Sequence, residues 1–400
     1  MRILFAALSL PFPPSLGQRM RNLSLLTVFH AEGHRVTLVS FATPEETRMD
    51  LTRLEALCDK IVLVPHPSRA TSSGANYLGR LCALAQARPY GEWRAASQQM
   101  KKAVTERLKN HAFELIICDE IYQLQNVAPS EVPVVLNKDG VVTEIMDRYL
   151  AHERNALLRA CGRIERGLAL RLERRACASV NAVLTCSERD SESLLRISPH
   201  AQIAIAPNSI DTEYYLPAAT DDGATIMFVG AMDWAPNRDA INFFVRESLP
   251  RLLELAPHAR LVVVGRNPPA DFTRHFEGIP AISFTGTVPD PRPLLARAAV
   301  TIVPLRIGSG TRMKILEAAA MAKPAVSTTI GAEGLAFARG TEIILADDPV
   351  EFAKEVADLL HDKDRRRAIG DAARRLAVQR YSIPALTHAT RIALAPFNQT

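Results

Sequence analysis

The sequence predicts an α/β protein made of two parallel-sheet domains, and three observations carry that prediction. Short apolar runs alternate with longer amphipathic ones along the whole chain, the pattern of parallel strands covered by helices. The pattern restarts after a polar, turn-rich stretch from Ala206 to Gly223. At 400 residues, the chain also exceeds what one ordinary core holds.

Strands are expected at Arg2–Ala7, Arg35–Phe41, Lys60–Pro65, Leu115–Cys118, Val132–Asn137 and Ala182–Cys186 in the first half, each a short apolar run bounded by turn residues. Met1 to Leu10 has the look of a signal-peptide core. Pro11, Pro13 and Pro14 follow at once, however, so it reads as the first buried strand. Helices are expected over Met20–Glu32 and, as one long run, Arg148–Ser179. The second half repeats the scheme with strands at Ala224–Val229, Arg260–Gly265, Ile282–Thr285, Val300–Leu305, Ala325–Thr328 and Glu342–Ala346, then an amphipathic region from Val350 to Arg380. The expected division is 1–205, a linker 206–223, 224–384, and a terminal segment 385–400 crossing back to the first domain. Two such domains bind ligand in a cleft at the carboxyl ends of their strands.

Composition narrows the function. Hydrophobic residues are 48% and charged residues 23% of the chain, which excludes disordered and low-complexity classes. The formal net charge of +5 suits nucleic acid, an anionic membrane or phosphorylated substrates. Basic residues are spread over helical stretches such as Arg163 to Arg175 without aromatic interleaving, so phosphorylated small molecules rank first and nucleic acid last. No strongly amphipathic helix with a basic face stands out in the first half, so membrane association is open but not indicated. Six scattered cysteines without a Cys-x-x-Cys pair signal neither zinc nor disulfides and fit a reducing, cytoplasmic compartment, with peripheral attachment at the inner membrane face left open.

The richest stretch is Pro304-Leu-Arg-Ile-Gly-Ser-Gly-Thr-Arg-Met-Lys-Ile-Leu-Glu317. An apolar run ends in a loop from Gly308 through Ser309 and Gly310 to Thr311, and a helix follows from about Arg312, taking in Met313. Backbone N–H groups and the positive end of a helix dipole meet at such a junction, which attracts phosphate. Arg312 and Lys314 add positive charge, and Glu317, a turn further in, suits a sugar diol. Together they suggest a nucleotide-sugar. A Gly-Ser-Gly loop alone is more often structural, and this one is neither a Walker A loop nor a dinucleotide fingerprint.

In combination, the motifs resemble those of the GT-B glycosyltransferases, specifically the retaining family 4 group. The match rests on Gly17-Gln-Arg-Met-Arg-Asn22, Ala206-Pro-Asn-Ser-Ile-Asp211, Phe228 to Asn237, Ser283 to Asp290, and Gly308 to Glu317 with Gly331-Ala-Glu-Gly334. The resemblance implies two Rossmann-like domains facing across a cleft, and transfer of a sugar from a UDP- or GDP-linked donor to a small-molecule, glycan, lipid-linked or peptide acceptor. It further implies retention of configuration, with no metal and no other cofactor. Glu317 would hold the ribose and Val288 would meet the base through its backbone. Gly230 would let the cleft wall come close to the diphosphate, Gly265 and Arg266 would belong to the donor site, and Gly17 and Arg19 would close over the sugar or its phosphate.

The pattern departs from the family at three positions. The first of two family glutamates falls on Ser309, a usual arginine falls on Ala231, and a usual histidine falls on Asp139, which becomes the candidate for positioning or deprotonating the acceptor. Each residue has a plainer reading. Glu317 could be an ordinary helix carboxylate, Asp139 a turn residue before Gly140, Gly230 a tight strand-to-loop turn, and Arg19 a solvated cation. A nucleotide-sugar epimerase and a non-catalytic nucleotide-sugar binder are the rival readings.

Overall fold

In a computed structural model, the chain is described for residues 1–14, 16–67, 73–218, 220–266 and 268–398, with residues 73–77 as backbone only. It divides into two compact units, Met1–Pro207 with Leu386–Thr400, and Asn208–Ala385.

The first unit runs β1 (Arg2–Ala7), α1 (Gly17–Ala31), β2 (Arg35–Ala42), α2 (Thr52–Glu55), β3 (Lys60–Pro65), α3 (Ser73–Ala85), α4 (Tyr90–Ala95), α5 (Gln98–Asn110), β4 (Leu115–Asp119), β5 (Val134–Asn137), α6 (Val142–His152), α7 (Ala156–Ser179), β6 (Ala182–Thr185), α8 (Glu188–Ile197) and β7 (Ile203–Ile205). Its sheet is parallel in the order β3-β2-β1-β4-β5-β6-β7. Helices cover both faces, so β1 and β4 are buried almost throughout and read as unbroken apolar runs. One core cluster joins Leu4, Phe41 and Ile116 to Met100 and Val104 of α5; another joins Leu136 and Val183 to Leu172 and Ala176 of α7.

The second unit runs β8 (Thr225–Val229), α9 (Ala235–Phe243), α10 (Leu249–Leu255), β9 (Arg260–Val264), α11 (Ala270–Arg274), β10 (Ile282–Gly286), α12 (Arg292–Arg297), β11 (Val300–Val303), α13 (Met313–Ala320), β12 (Ala325–Ser327), α14 (Thr329–Ala332), β13 (Ile344–Leu345), α15 (Pro349–His361) and α16 (Lys363–Tyr381). The sheet order is β10-β9-β8-β11-β12-β13, again parallel. The division between the units at Leu386 falls inside α17 (Ile383–Leu394).

Each expected strand forms, with ends shifted by a residue or two. β7 is an addition, because three residues are too short to give a periodic signal. Two expected helices break. Asn155 caps a new helix by accepting from the N–H groups of Leu157 and Leu158, which splits Arg148–Ser179. Asp362 does the same through the Arg365 N–H, separating α15 from α16. The stretch between β3 and α4 holds α3, while residues 68–72 lie outside the described residues.

Candidate functional site

In the second unit the strand order reverses between β8 and β11, so the loops that follow these two strands part to either side at the carboxyl edge of the sheet. A crevice at this position is where open α/β sheets bind ligands. Backbone meets backbone there. A Cβ on Gly265 would stand 1.8 Å from the Gly230 carbonyl oxygen, and one on Gly230 would stand 2.7 Å from Asn237 Nδ2 and 2.9 Å from Lys314 Nζ. Glycine is therefore required at 265, where the obstacle is backbone, while a side chain at 230 would displace Asn237 and Lys314. Gly308 and Gly310 take φ of +150° and +74° in the loop after β11, a conformation that side chains resist.

That loop is braced from within. The buried Arg312 guanidinium donates to the carbonyls of Ser309, Gly310 and Ile330. Thr311 Oγ1 accepts from Asn208 Nδ2 at 2.8 Å. Arg312 precedes α13 and its side chain does not cap the helix; the Ile315 N–H turns back to the Arg312 carbonyl, and the positive end of the helix dipole faces the loop.

Lys314 and Glu317 lie one turn apart on α13. Lys314 Nζ donates to Asn237 Oδ1 at 3.0 Å and sits 3.9 Å from the centre of the Phe228 ring, while Asn237 Nδ2 donates to the Ala231 carbonyl. Asn237 thus ties the loops after β8 and β11 together. Burial and the charge of Arg312 push the Lys314 ammonium down to about 7. Glu317 Oε1 accepts from the Tyr215 hydroxyl at 3.0 Å, and burial pushes its carboxyl up to about 7 against the pull of Tyr215 and Lys314. Both groups are poised near neutrality, as at sites built to receive charge.

Met313 is buried under the loop, and Ser309 lies in it. Arg266 pairs with Asp233 at 3.3 Å beside the Gly265 turn. Val288 follows β10 at the sheet edge, two strands from β8. Sequence reasoning missed Tyr215 and the bridging roles of Asn208 and Asn237. The two asparagines sit in quoted motifs, whereas nothing in the sequence around Tyr215 marks it.

Gly17, Arg19 and Asp139 belong to the first unit. Gly17 opens α1. Arg19 is buried in an ion pair with Glu46, Nη2 to Oε1 at 2.5 Å, so it is not the solvated cation of the plainer reading. Asp139 follows β5 and donates its N–H to Glu120 Oε1 at 3.0 Å. Glu120 takes φ of +67°, and burial and the nearby Asp139 charge hold its carboxyl well above the usual range. Asp119 accepts from the Leu8 N–H at 3.0 Å and from Gln18 Nε2 at 3.1 Å, and burial pushes it up to about 7. Among the described residues, no group of three His, Cys, Asp or Glu side chains is disposed to hold a metal ion.

Residues 223–362 match the family described as Glycosyl transferases group 1. The matched residues all lie in the second unit. Its glycine loop, Lys314 and Glu317 all lie within the matched residues. A search of curated proteins finds no match to the chain. Among solved structures, the chain is similar to sucrose-phosphate synthase from Thermosynechococcus elongatus, at 16% identity over 100% of each chain and a TM-score of 0.74. S. aureus TarM, solved with UDP, alpha-GlcNAc-glycerol and Fondaparinux, aligns over 100% of each chain at 10% identity with a TM-score of 0.72. Anabaena HepE, solved with UDP-glucose, covers 99% of this chain and 100% of its own at 13% identity, with a TM-score of 0.68. With two parallel Rossmann-like sheets whose first six strands run in the same order, the chain has the GT-B fold.

Proposed function

We propose that the protein transfers a sugar from a nucleoside-diphosphate sugar, UDP- or GDP-linked, to an acceptor with retention of configuration and without a metal. The observation that carries this reading is the braced glycine loop at the N-terminal end of α13, with Lys314 and Glu317 one turn apart behind it.

The chemistry follows from where charge develops. As the glycosidic bond breaks, negative charge gathers on the distal phosphate, and donors already fixed there lower the barrier. The N–H groups at the start of α13 and the Lys314 ammonium are those donors. Arg312 acts one step back, because its guanidinium holds the loop carbonyls and adds positive charge without turning to the ligand. Glu317, oriented by Tyr215, accepts from the ribose diol. In the first unit, Asp139 beside Glu120 orients the acceptor hydroxyl. The solved relatives with UDP or UDP-glucose bound support a uridine donor.

The test is release of nucleoside diphosphate from UDP-glucose and GDP-mannose, with and without candidate acceptors, in EDTA. Acceptor-dependent release is expected. Tight donor binding with no release under any acceptor would favour a binder, and activity lost in EDTA and restored by magnesium would overturn the metal-free reading. The anomeric configuration of the product decides retention.

A further inference from the structure

Helix α3 presents the opposite of an ordinary surface helix. Among its described side-chain positions, the small Gly79 and Ala83 are the buried ones, with Gly79 so close to α4 that a Cβ would stand 2.9 Å from Trp93 Cζ3. Its large residues Leu78, Leu81 and Leu84 are 45–63% exposed. The start of α7 is exposed on all sides, and its Leu157, Leu158 and Ile164 are 50–72% exposed. Single exposed leucines are normal, but concentration on neighbouring helices marks an interaction surface.

The helices belong to one cluster. The Tyr90 N–H at the start of α4 donates to Glu165 Oε1 of α7 at 2.6 Å, and Arg80 of α3 lies 5.0 Å over the Tyr90 ring. Gly162 of α7 packs against Leu150 of α6.

Charge identifies the occupant. Arg80, Arg159 and Arg163 on these helices, and Arg154 in the break between α6 and α7, are exposed and form no ion pair among the described residues. Of the carboxylates beside them, Asp147 is neutralised by Arg166, whereas Glu153 and Glu165 accept only from the neutral Tyr149 hydroxyl and the Asn155 and Tyr90 N–H groups and keep their charge, which leaves the arginines in excess. Exposed leucines among an excess of arginines match a bilayer of anionic lipids, which takes apolar side chains at its acyl boundary and cations at its headgroups. A second copy docked face to face would set this arginine excess against itself. No helix among the described residues is long and apolar enough to cross a membrane, so the contact is superficial.

We propose that the α3–α4–α6–α7 face of the first unit docks onto an anionic membrane surface. This does not rest on the transfer reaction, since binding is read without donor or acceptor. The full chain is sedimented with phosphatidylcholine vesicles alone or containing phosphatidylglycerol, at low and high salt. Pelleting is expected only with the anionic vesicles and weaker at high salt. Leu157→Glu with Leu158→Glu should lower binding about tenfold or more. Arg159→Glu should lower it at least about fivefold, from the surface attraction per basic residue. Val350→Glu, which changes an exposed residue of the second unit, should have no effect. Should the α7 pair fail to fold by circular dichroism, Leu78→Glu with Leu81→Glu and Arg159→Glu decide the matter. No pelleting, equal pelleting of the variants, or a concentration-dependent dimer that the leucine variants abolish would overturn the proposal.

Discussion

Apart from β7, the two units share one strand order and reverse direction at equivalent places, yet the two reversals carry opposite chemistry. Between β8 and β11, side chains withdraw: glycines form the crevice wall, and Arg312 and Lys314 make the place positive. Between β1 and β4, side chains crowd in: Asp119 accepts from the loop after β1, with Glu120 and Asp139 beside it. The same strand order therefore supplies a crevice and nothing more. Loop residues decide which charge it presents.

The most damaging way to break the contrast is to put a side chain where backbone meets backbone. Gly265→Ala places a methyl in the Gly230 carbonyl, and displacement of the β8 loop should cost about 3 kcal/mol or more in urea unfolding of the full chain. A loss below about 1 kcal/mol would mean that the wall yields.

Next in size is the division of labour between the two cations. Lys314→Met should weaken UDP binding by about 1.5–3 kcal/mol in calorimetry, the range for charge-assisted hydrogen bonds, while leaving stability nearly intact. Arg312→Met should lose comparable affinity and stability as well, because three backbone carbonyls lose their donor. Unchanged UDP affinity in both variants would sink the diphosphate assignment.

On the acidic side, Asp139→Asn should lower kcat about tenfold, or about 1.4 kcal/mol, with donor Kd unchanged, because a group that orients the acceptor acts mainly in the transition state. A fall of less than about threefold would return Asp139 to a turn role.

The smallest effect is on protons. Glu317, raised from its ordinary 4.5 to about 7, lets the folded state bind more protons than the unfolded across that window, so its contribution to stability falls as pH rises from 4.5 to 7. Lys314, lowered from 10.5 to about 7, makes the folded state bind fewer, so its contribution rises from pH 7 to 10.5. Their summed contribution is lowest near pH 7. A bound diphosphate should restore the Lys314 charge, so UDP binding at pH 8 should take up part of a proton, seen as a dependence of the calorimetric enthalpy on buffer ionisation. Lys314→Met should abolish that uptake; if it does not, Lys314 does not meet the phosphate.

The sequence by itself determined the strands, the restart after the polar stretch, and the meeting of a glycine loop with a helix start, because each is written in residues that are neighbours along the chain. Apolar runs between turn residues specify buried parallel strands, and Gly308 to Thr311 opens α13 whatever surrounds it. Even the helix breaks at Asn155 and Asp362 were legible as capping residues. Only the tertiary structure decided what the charged residues face. Arg312 turns into its own loop, Arg19 is taken by Glu46, and Glu317 is held by a tyrosine 102 positions away. The outward leucines of α3 likewise depend on Trp93 leaving room only for Gly79 beneath it. Local patterns encode backbone conformation, but the partner and protonation of a side chain are set by whichever distant residues the fold packs against it.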